Sequence, residues 1–165
     1  TTEETPEFQG KYYSISGAIN QPKPIQKPYP PLWVCGGGEK VTLKLLAKYG
    51  DYGNWDVDVN GFKHKSEILK QHCEDQNRDY ETIGRTLHTN VVIGEDKADL
   101  DNKIKKLASY SNIPEENFYK RPLIGVKDEV FEKLDEYENE GCSYLIAYIP
   151  DIVWGNTAEI LAEKI

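Results

Sequence analysis

The chain has 165 residues, 38% hydrophobic and 29% charged, enough for one domain with a core of its own. Its net charge of −8 disfavours nucleic acid, whose phosphates call for a basic face. No apolar run approaches the ~20 residues of a membrane span. The three cysteines, Cys35, Cys73 and Cys142, form no CxxC pair, which argues against a zinc site or a disulfide framework and fits a reducing cytoplasm.

The polar, acidic opening residues have neither signal-peptide nor transit-peptide character. With no methionine anywhere, the chain is expected to be a processed product, a fragment or a trimmed reading frame. Residues 8–19, FQGKYYSISGAI, read as a short strand or hairpin. Residues 20–31 carry five prolines, which fix φ and remove donors, so an extended, non-helical lead-in is expected there. LWVC at 32–35, between Pro31 and Gly36, has the form of a buried strand. After GGGEK comes a helix that Gly50 is placed to end, with Val41, Leu45 and Tyr49 on one stripe and Leu46 beside it.

The pattern then repeats. A short strand is expected at 51–56, and a helix at 60–77 with Phe62, Leu69 and Cys73 inward. A β-branched strand follows at 85–93, then a helix at 96–110 with Leu100, Ile104, Leu107 and Ala108 on one face. A helix at 127–140, with Val130, Leu134 and Tyr137 inward, ends at Gly141. An apolar strand at 142–149 leads to a last helix at 156–165, where Asn156 and Glu159 have capping-box spacing. Strand–helix alternation implies a parallel sheet covered by helices. The predicted fold class is α/β, with about four parallel strands alternating with helices. This is half of a TIM (β/α) barrel, with a doubly wound open sheet as the structural alternative. The whole of 1–165 reads as a single half-barrel domain: hairpin and proline-rich lead-in over 1–31, then four strand–helix units over 32–165.

Gly36, Gly37 and Gly38 stand between a strand and a helix start. Three glycines let the backbone approach a ligand closely, and N–H groups at a helix N-terminus favour phosphate. Glu39 and Lys40 would add N–H groups, Thr42 a hydroxyl and Lys40 a charge. The spacing matches neither a Walker loop nor a full dinucleotide fingerprint, since Val41 occupies the third glycine position. A purely structural turn and a phosphate site are both open at this point. Asn54 and Trp55 fall at the carboxyl end of a strand, and Trp55 is expected to fill core. His72 reads as a partly buried helical histidine. His64 and His88 lack a residue at metal-ligand spacing, and no catalytic residue or metal ligand can be assigned.

The run from Phe8 to Trp55 resembles the bacterial-luciferase-like monooxygenase family in an ordered series of features. These are Phe8, Gly10, Tyr12 and Tyr13; the proline-rich Pro22, Pro24 and Gln26; the apolar strand and glycine turn through Glu39; then Thr42, Leu43, Leu45, Ala47, Asp51 and Asn54. Cys73, Arg78 and Asp79, and the segments 125–151 and 156–165, extend the likeness to essentially the whole chain. The resemblance implies the C-terminal half of a TIM-type barrel that binds FMN or the 8-hydroxy-5-deazaflavin coenzyme F-420. It also implies hydride transfer or flavin-mediated oxygenation of a small organic substrate. By the same resemblance, Gly36, Gly37, Gly38 and Glu39 hold the cofactor phosphate through backbone and Thr42 through its side chain. Nothing here matches the family's first four strands, and Val126 replaces a small hydroxyl residue, removing a helix cap.

Two functional readings follow: part of an oxidoreductase, or a non-catalytic half-barrel module, inactive without its N-terminal half. A half-barrel would leave two unpaired edges and an apolar inner face, so a homodimer or higher oligomer is expected. A phosphate-binding aldolase or isomerase barrel is a third reading, for which Lys63, Lys65 and Asp151 are available.

Overall fold

A computed structural model describes residues 5–164 and divides the chain into two units, 1–32 and 33–165. In the first, β1 (Phe8–Gln9) and β2 (Ser14–Ile15) pair antiparallel around a tight turn in which the Gly10 N–H donates to the Tyr13 carbonyl at 2.8 Å. The proline-rich stretch after them forms no helix or strand, as expected where ring-locked φ and missing donors prevent both.

The second unit alternates strand and helix. Its elements are β3 (Trp33–Cys35), α1 (Thr42–Tyr49), β4 (Tyr52–Trp55), α2 (Val59–Asp75), β5 (Gly84–Gly94), α3 (Lys97–Ser111), α4 (Glu115–Phe118), β6 (Leu123–Val126), α5 (Lys127–Asn139), β7 (Tyr144–Tyr148) and α6 (Thr157–Ala162). All strand pairs here are parallel. β3, β4, β5 and β7 lie side by side in that order, the arrangement of consecutive strands in a partial TIM barrel. β6 is a fifth strand that the sequence pattern did not announce; it pairs with Val91–Gly94, the far end of the eleven-residue β5. Four residues with a central glycine carry too little periodicity to stand out. The short α4 before it was also unexpected.

Register sorts the sheet into two faces. Val34, Trp55, Leu87 and Leu145 face the helices. There they meet Leu43, Leu46, Phe62, Leu69, Val130, Tyr137 and Ile160 in the main core. Each such side chain contributes about 1.5–3 kcal/mol by leaving water. A second cluster, Val92, Leu100, Ile104, Leu107 and Ile124, packs α3 onto the extension of β5.

Two local expectations are corrected. On α1 the stripe Val41, Leu45 and Tyr49 points outward, and the buried residues are Leu43, Leu46 and Ala47. The cause is visible at Gly50 and Gly53: a Cβ at either would lie 2.7 or 2.5 Å from a Leu46 methyl. Two glycines thus admit Leu46 and set the roll of the helix. Arg78 then caps α1 by donating to the Leu46 and Ala47 carbonyls at 3.3 and 3.2 Å. At α6, Asn156 is the N-cap but makes no side-chain cap. Its amide oxygen instead accepts from the buried Lys103 ammonium, which also donates to the Ile93 carbonyl at 2.6 Å. At α5, Val126 offers no side-chain cap, while its own N–H donates to Glu129 at 3.4 Å.

Thr157 ties α6 to the sheet. Its hydroxyl donates to the buried Asp151 carboxylate at 2.8 Å and accepts from the Ile93 N–H at 3.1 Å. Thr157→Val would orphan both groups in the interior. A loss of about 2–3 kcal/mol in urea unfolding is expected, and a change within about 0.5 kcal/mol would refute this role. Among the described residues, no helix is long and apolar enough to cross a membrane.

Candidate functional site

The glycine turn leaves the carboxyl end of β3. The Gly36 N–H donates to the Asn54 carbonyl at 3.1 Å, which carries the parallel ladder one step past the strand. At Gly36 φ is +100°, a conformation open to glycine, and the chain departs from the sheet there. Gly38 accepts from the Leu43 N–H at 3.0 Å, and α1 begins without a side-chain N-cap. The N–H groups of Gly37, Gly38, Glu39 and Lys40 have no protein acceptor among the described residues. The Thr42 hydroxyl lies against Gly38, where a Cβ would sit 2.8 Å from it.

Helix α2 closes over this turn. Its Asp58 N-cap accepts from the Gly61 N–H at 2.7 Å, and Phe62, Leu69 and Cys73 anchor its inner face. That anchoring aims Lys65 and His72, seven residues apart on one side, at the turn. The Lys65 stem passes so close that a Cβ on Gly37 would lie 2.5 Å from its Cε and 3.3 Å from its Nζ. The Lys65 ammonium, only 15% exposed, sits 3.1 Å from the Glu39 carboxylate. His64 Nε2 lies 3.2 Å from the same oxygen, and His72 Nε2 lies 2.8 Å from the Glu39 carbonyl. The hydrogen bond from Lys65 holds the Glu39 carboxyl below its ordinary range, with His64 adding to the effect. In a chain of net charge −8, the turn therefore has a lysine ammonium beside it, paired with Glu39. In the sequence Lys65 is only one of the available lysines. Its place over the turn is a contact across 26 residues, invisible to local pattern.

Below the turn the open sheet face is layered. At the amino end Trp33 stacks on Tyr52 with ring centroids 4.5 Å apart, and Tyr144 meets Trp33 edge-on at 5.9 Å. Gly84 makes room for the Tyr52 ring, since a Cβ there would lie 2.3 Å from it. Toward the carboxyl rim the face turns polar. The Thr86 hydroxyl lies within hydrogen-bond reach of the Gly53 carbonyl at 2.9 Å and the Asn54 amide oxygen at 3.0 Å, and the Asn54 amide approaches Cys35 Sγ at 3.8 Å. The inner face is thus aromatic at one end and gains polar groups toward the rim, beside the apolar Ile146. A cleft of about 500 Å³ opens at the rim between Cys35, Gly36, Asn54, Asp56, His88 and Ile146.

Trp55 also borders the cleft, but it is buried, with its ring edge-on to Phe62 on the helix-facing side of the sheet. Asp151 is fully buried against Thr157, and Lys63 pairs with Glu140 at 3.3 Å. Among the described residues, no group of three or more His, Cys, Asp or Glu is placed to hold a metal ion.

Residues 1–140 match the luciferase-like monooxygenase family. The chain belongs to that family. Solved structures share its fold. An F420-dependent secondary alcohol dehydrogenase, solved with an F420–acetone adduct, superposes with TM-score 0.75 at 15% identity, over 99% of this chain and 56% of its own. The coenzyme F420-dependent tetrahydromethanopterin reductase from Methanopyrus kandleri gives 0.70 at 15% identity, over 96% and 56%. An EDTA monooxygenase from Chelativorans sp. BNC1 gives 0.63 at 16%, over 95% and 50%. The luciferase-like chain therefore spans about half the length of the solved structures it matches, and shares their fold as a partial barrel.

Proposed function

We propose that this chain is part of a flavin- or deazaflavin-dependent oxidoreductase acting on a small organic substrate, and that its glycine turn holds the cofactor's phosphate. The observation that carries the reading is the row of unpartnered N–H groups at the carboxyl rim of a parallel sheet, with the Lys65 ammonium beside it. The fit is steric as well as electrostatic. Gly37 and Gly38 leave space that side chains would fill, and the donor set suits a dianion. Solved enzymes of this fold bind F420 or modified FMN, which supports either cofactor.

When bound, the ring supplies hydride transfer or oxygen activation. The residues of this chain orient it and shape its surroundings. The turn donates to phosphate. Lys65 spends one of its three donors on Glu39 and keeps two for the anion. Thr42 adds a hydroxyl, and the Thr86–Asn54 bond holds an amide on the floor of the cleft. The three cysteines are unpaired, consistent with a cytoplasmic setting. Fluorescence titration with FMN, riboflavin and F420 tests the reading. FMN should bind at least about tenfold tighter than riboflavin, because only FMN carries phosphate. Failure of both FMN and F420 to bind, with circular dichroism showing an intact fold, would overturn it.

A second reading, a non-catalytic half-barrel that self-associates, is favoured by one observation. Trp33 and Tyr144 stay 40% and 57% exposed on the open face, at the starts of β3 and β7, each of which pairs on one side only among the described residues. It predicts a homodimer or higher oligomer in sedimentation equilibrium at micromolar concentration, and a strictly monomeric profile would sink it.

A further inference from the structure

We infer that a second cavity, one step further along the same sheet face, takes a small organic molecule with an apolar body and one carboxylate, and that Arg121 holds the carboxylate. The cavity measures about 650 Å³, within the range of small-ligand sites. Its position follows from the register. On β5, His88 and Asn90 point to the same side, and on β7 so do Ile146 and Tyr148. His88 and Ile146 line the cleft beside the glycine turn, while Asn90 and Tyr148 line the second cavity. The two spaces are linked by an ion pair of 2.7 Å, from Arg121 of the far cavity to Asp56 of the near cleft. Helices α3 and α4 roof the far space, which is why neither it nor Arg121 was apparent in the sequence.

The lining states the ligand chemistry. Leu107, Phe118 and Ile124 supply apolar wall. Arg121 is the one donor-only group of the lining, since the tyrosine and serine hydroxyls and the asparagine amides both donate and accept. Arg121 uses Nη1 for Asp56, and its Nε and Nη2 have no protein acceptor among the described residues. Tyr110 and Tyr148, both more than half exposed, also line the cavity. A guanidinium with free donors in a fork selects a carboxylate over a hydroxyl. The Asp56 pair is half exposed on both sides, so it positions the guanidinium without consuming it. A ligand anchored there extends along the sheet face toward the cleft at the glycine turn. Its role as substrate rests on the cofactor reading above; its binding does not.

Calorimetric titration of the chain without cofactor, using octanoate and 1-octanol, tests the inference. Octanoate should bind about tenfold tighter than octanol, as a charge-assisted hydrogen bond implies. Arg121→Gln should abolish that preference while leaving octanol affinity unchanged, and Arg121→Lys should restore part of it. Ile113→Trp, at a 44% exposed position on the cavity wall, should weaken both ligands at least about fivefold by filling the space. The inference is overturned if octanoate binds no tighter than octanol, if the preference survives Arg121→Gln in a folded protein, or if Ile113→Trp binds both ligands as the parent does. If octanoate is preferred but FMN and F420 do not bind, the cofactor reading alone falls. If a cofactor binds and octanoate is not preferred, this inference alone falls.

Discussion

Phe62→Ala is expected to remove about 3–5 kcal/mol of stability, the loss typical of a buried aromatic cut to a methyl. Phe62 is fully buried at the meeting point of sheet and helices. Its ring lies edge-on to Trp55 at 5.1 Å and to Tyr137 at 5.7 Å. Neither neighbour can readily collapse into the space left behind. Trp55 belongs to a strand paired on both sides, and the Tyr137 hydroxyl donates to the Val57 carbonyl at 2.6 Å. Burial pushes the Tyr137 phenol far above its ordinary pKa, so that hydrogen bond persists across the working pH range. Against a total stability of about 5–15 kcal/mol for a domain, the loss leaves a substantial unfolded population. Urea unfolding followed by tryptophan fluorescence measures it. Leu45→Ala, at a 48% exposed position on α1, should cost under about 1 kcal/mol in the same assay. A Phe62→Ala loss as small as that of Leu45→Ala would contradict the assigned core.

Gly37→Asp should weaken FMN binding at least about 100-fold and leave riboflavin binding nearly unchanged. Any side chain at Gly37 meets the Lys65 stem, whose Cε would lie 2.5 Å from the new Cβ. That stem can move aside, so steric cost alone is modest. The added carboxylate acts differently: it places negative charge among the N–H groups that would face phosphate and competes for the Lys65 ammonium. Juxtaposed like charges cost several kcal/mol, and 100-fold is about 2.7 kcal/mol. The ratio of FMN to riboflavin affinity is the decisive quantity, because it isolates the phosphate from the ring. An unchanged ratio would remove phosphate from the glycine turn. Lys65→Met should lower the same ratio by about tenfold, since it takes away one charged donor and keeps the stem.

How much of this was legible in the sequence depended on the range of each interaction. The β5–α3 unit was clear because β-branched residues over 85–93 and apolar residues at helical spacing from Leu100 to Leu107 each repeat within a few residues. The face of α1 was not, because apolar residues surround that helix and permit two stripes. Gly50 and Gly53 chose between them by admitting Leu46. The glycine turn stood out because three successive glycines between a strand and a helix are conspicuous. Its flanking side chains did not, because Lys65 and His72 reach Glu39 from 26 and 33 residues away. Arg121 reaches Asp56 across 65.

By itself, then, the sequence determined the alternation of strands and helices, the parallel sense of the sheet, and where the chain turns at its carboxyl rim. Backbone propensity and side-chain periodicity act over neighbouring residues, so these features are written locally. Only the tertiary structure decided which face of α1 is buried, that a short strand pairs with the far end of β5, and which charged groups gather at the rim. Those outcomes depend on packing between segments far apart in the chain, where a glycine's missing Cβ or a lysine's reach acts only once the sheet has brought them together.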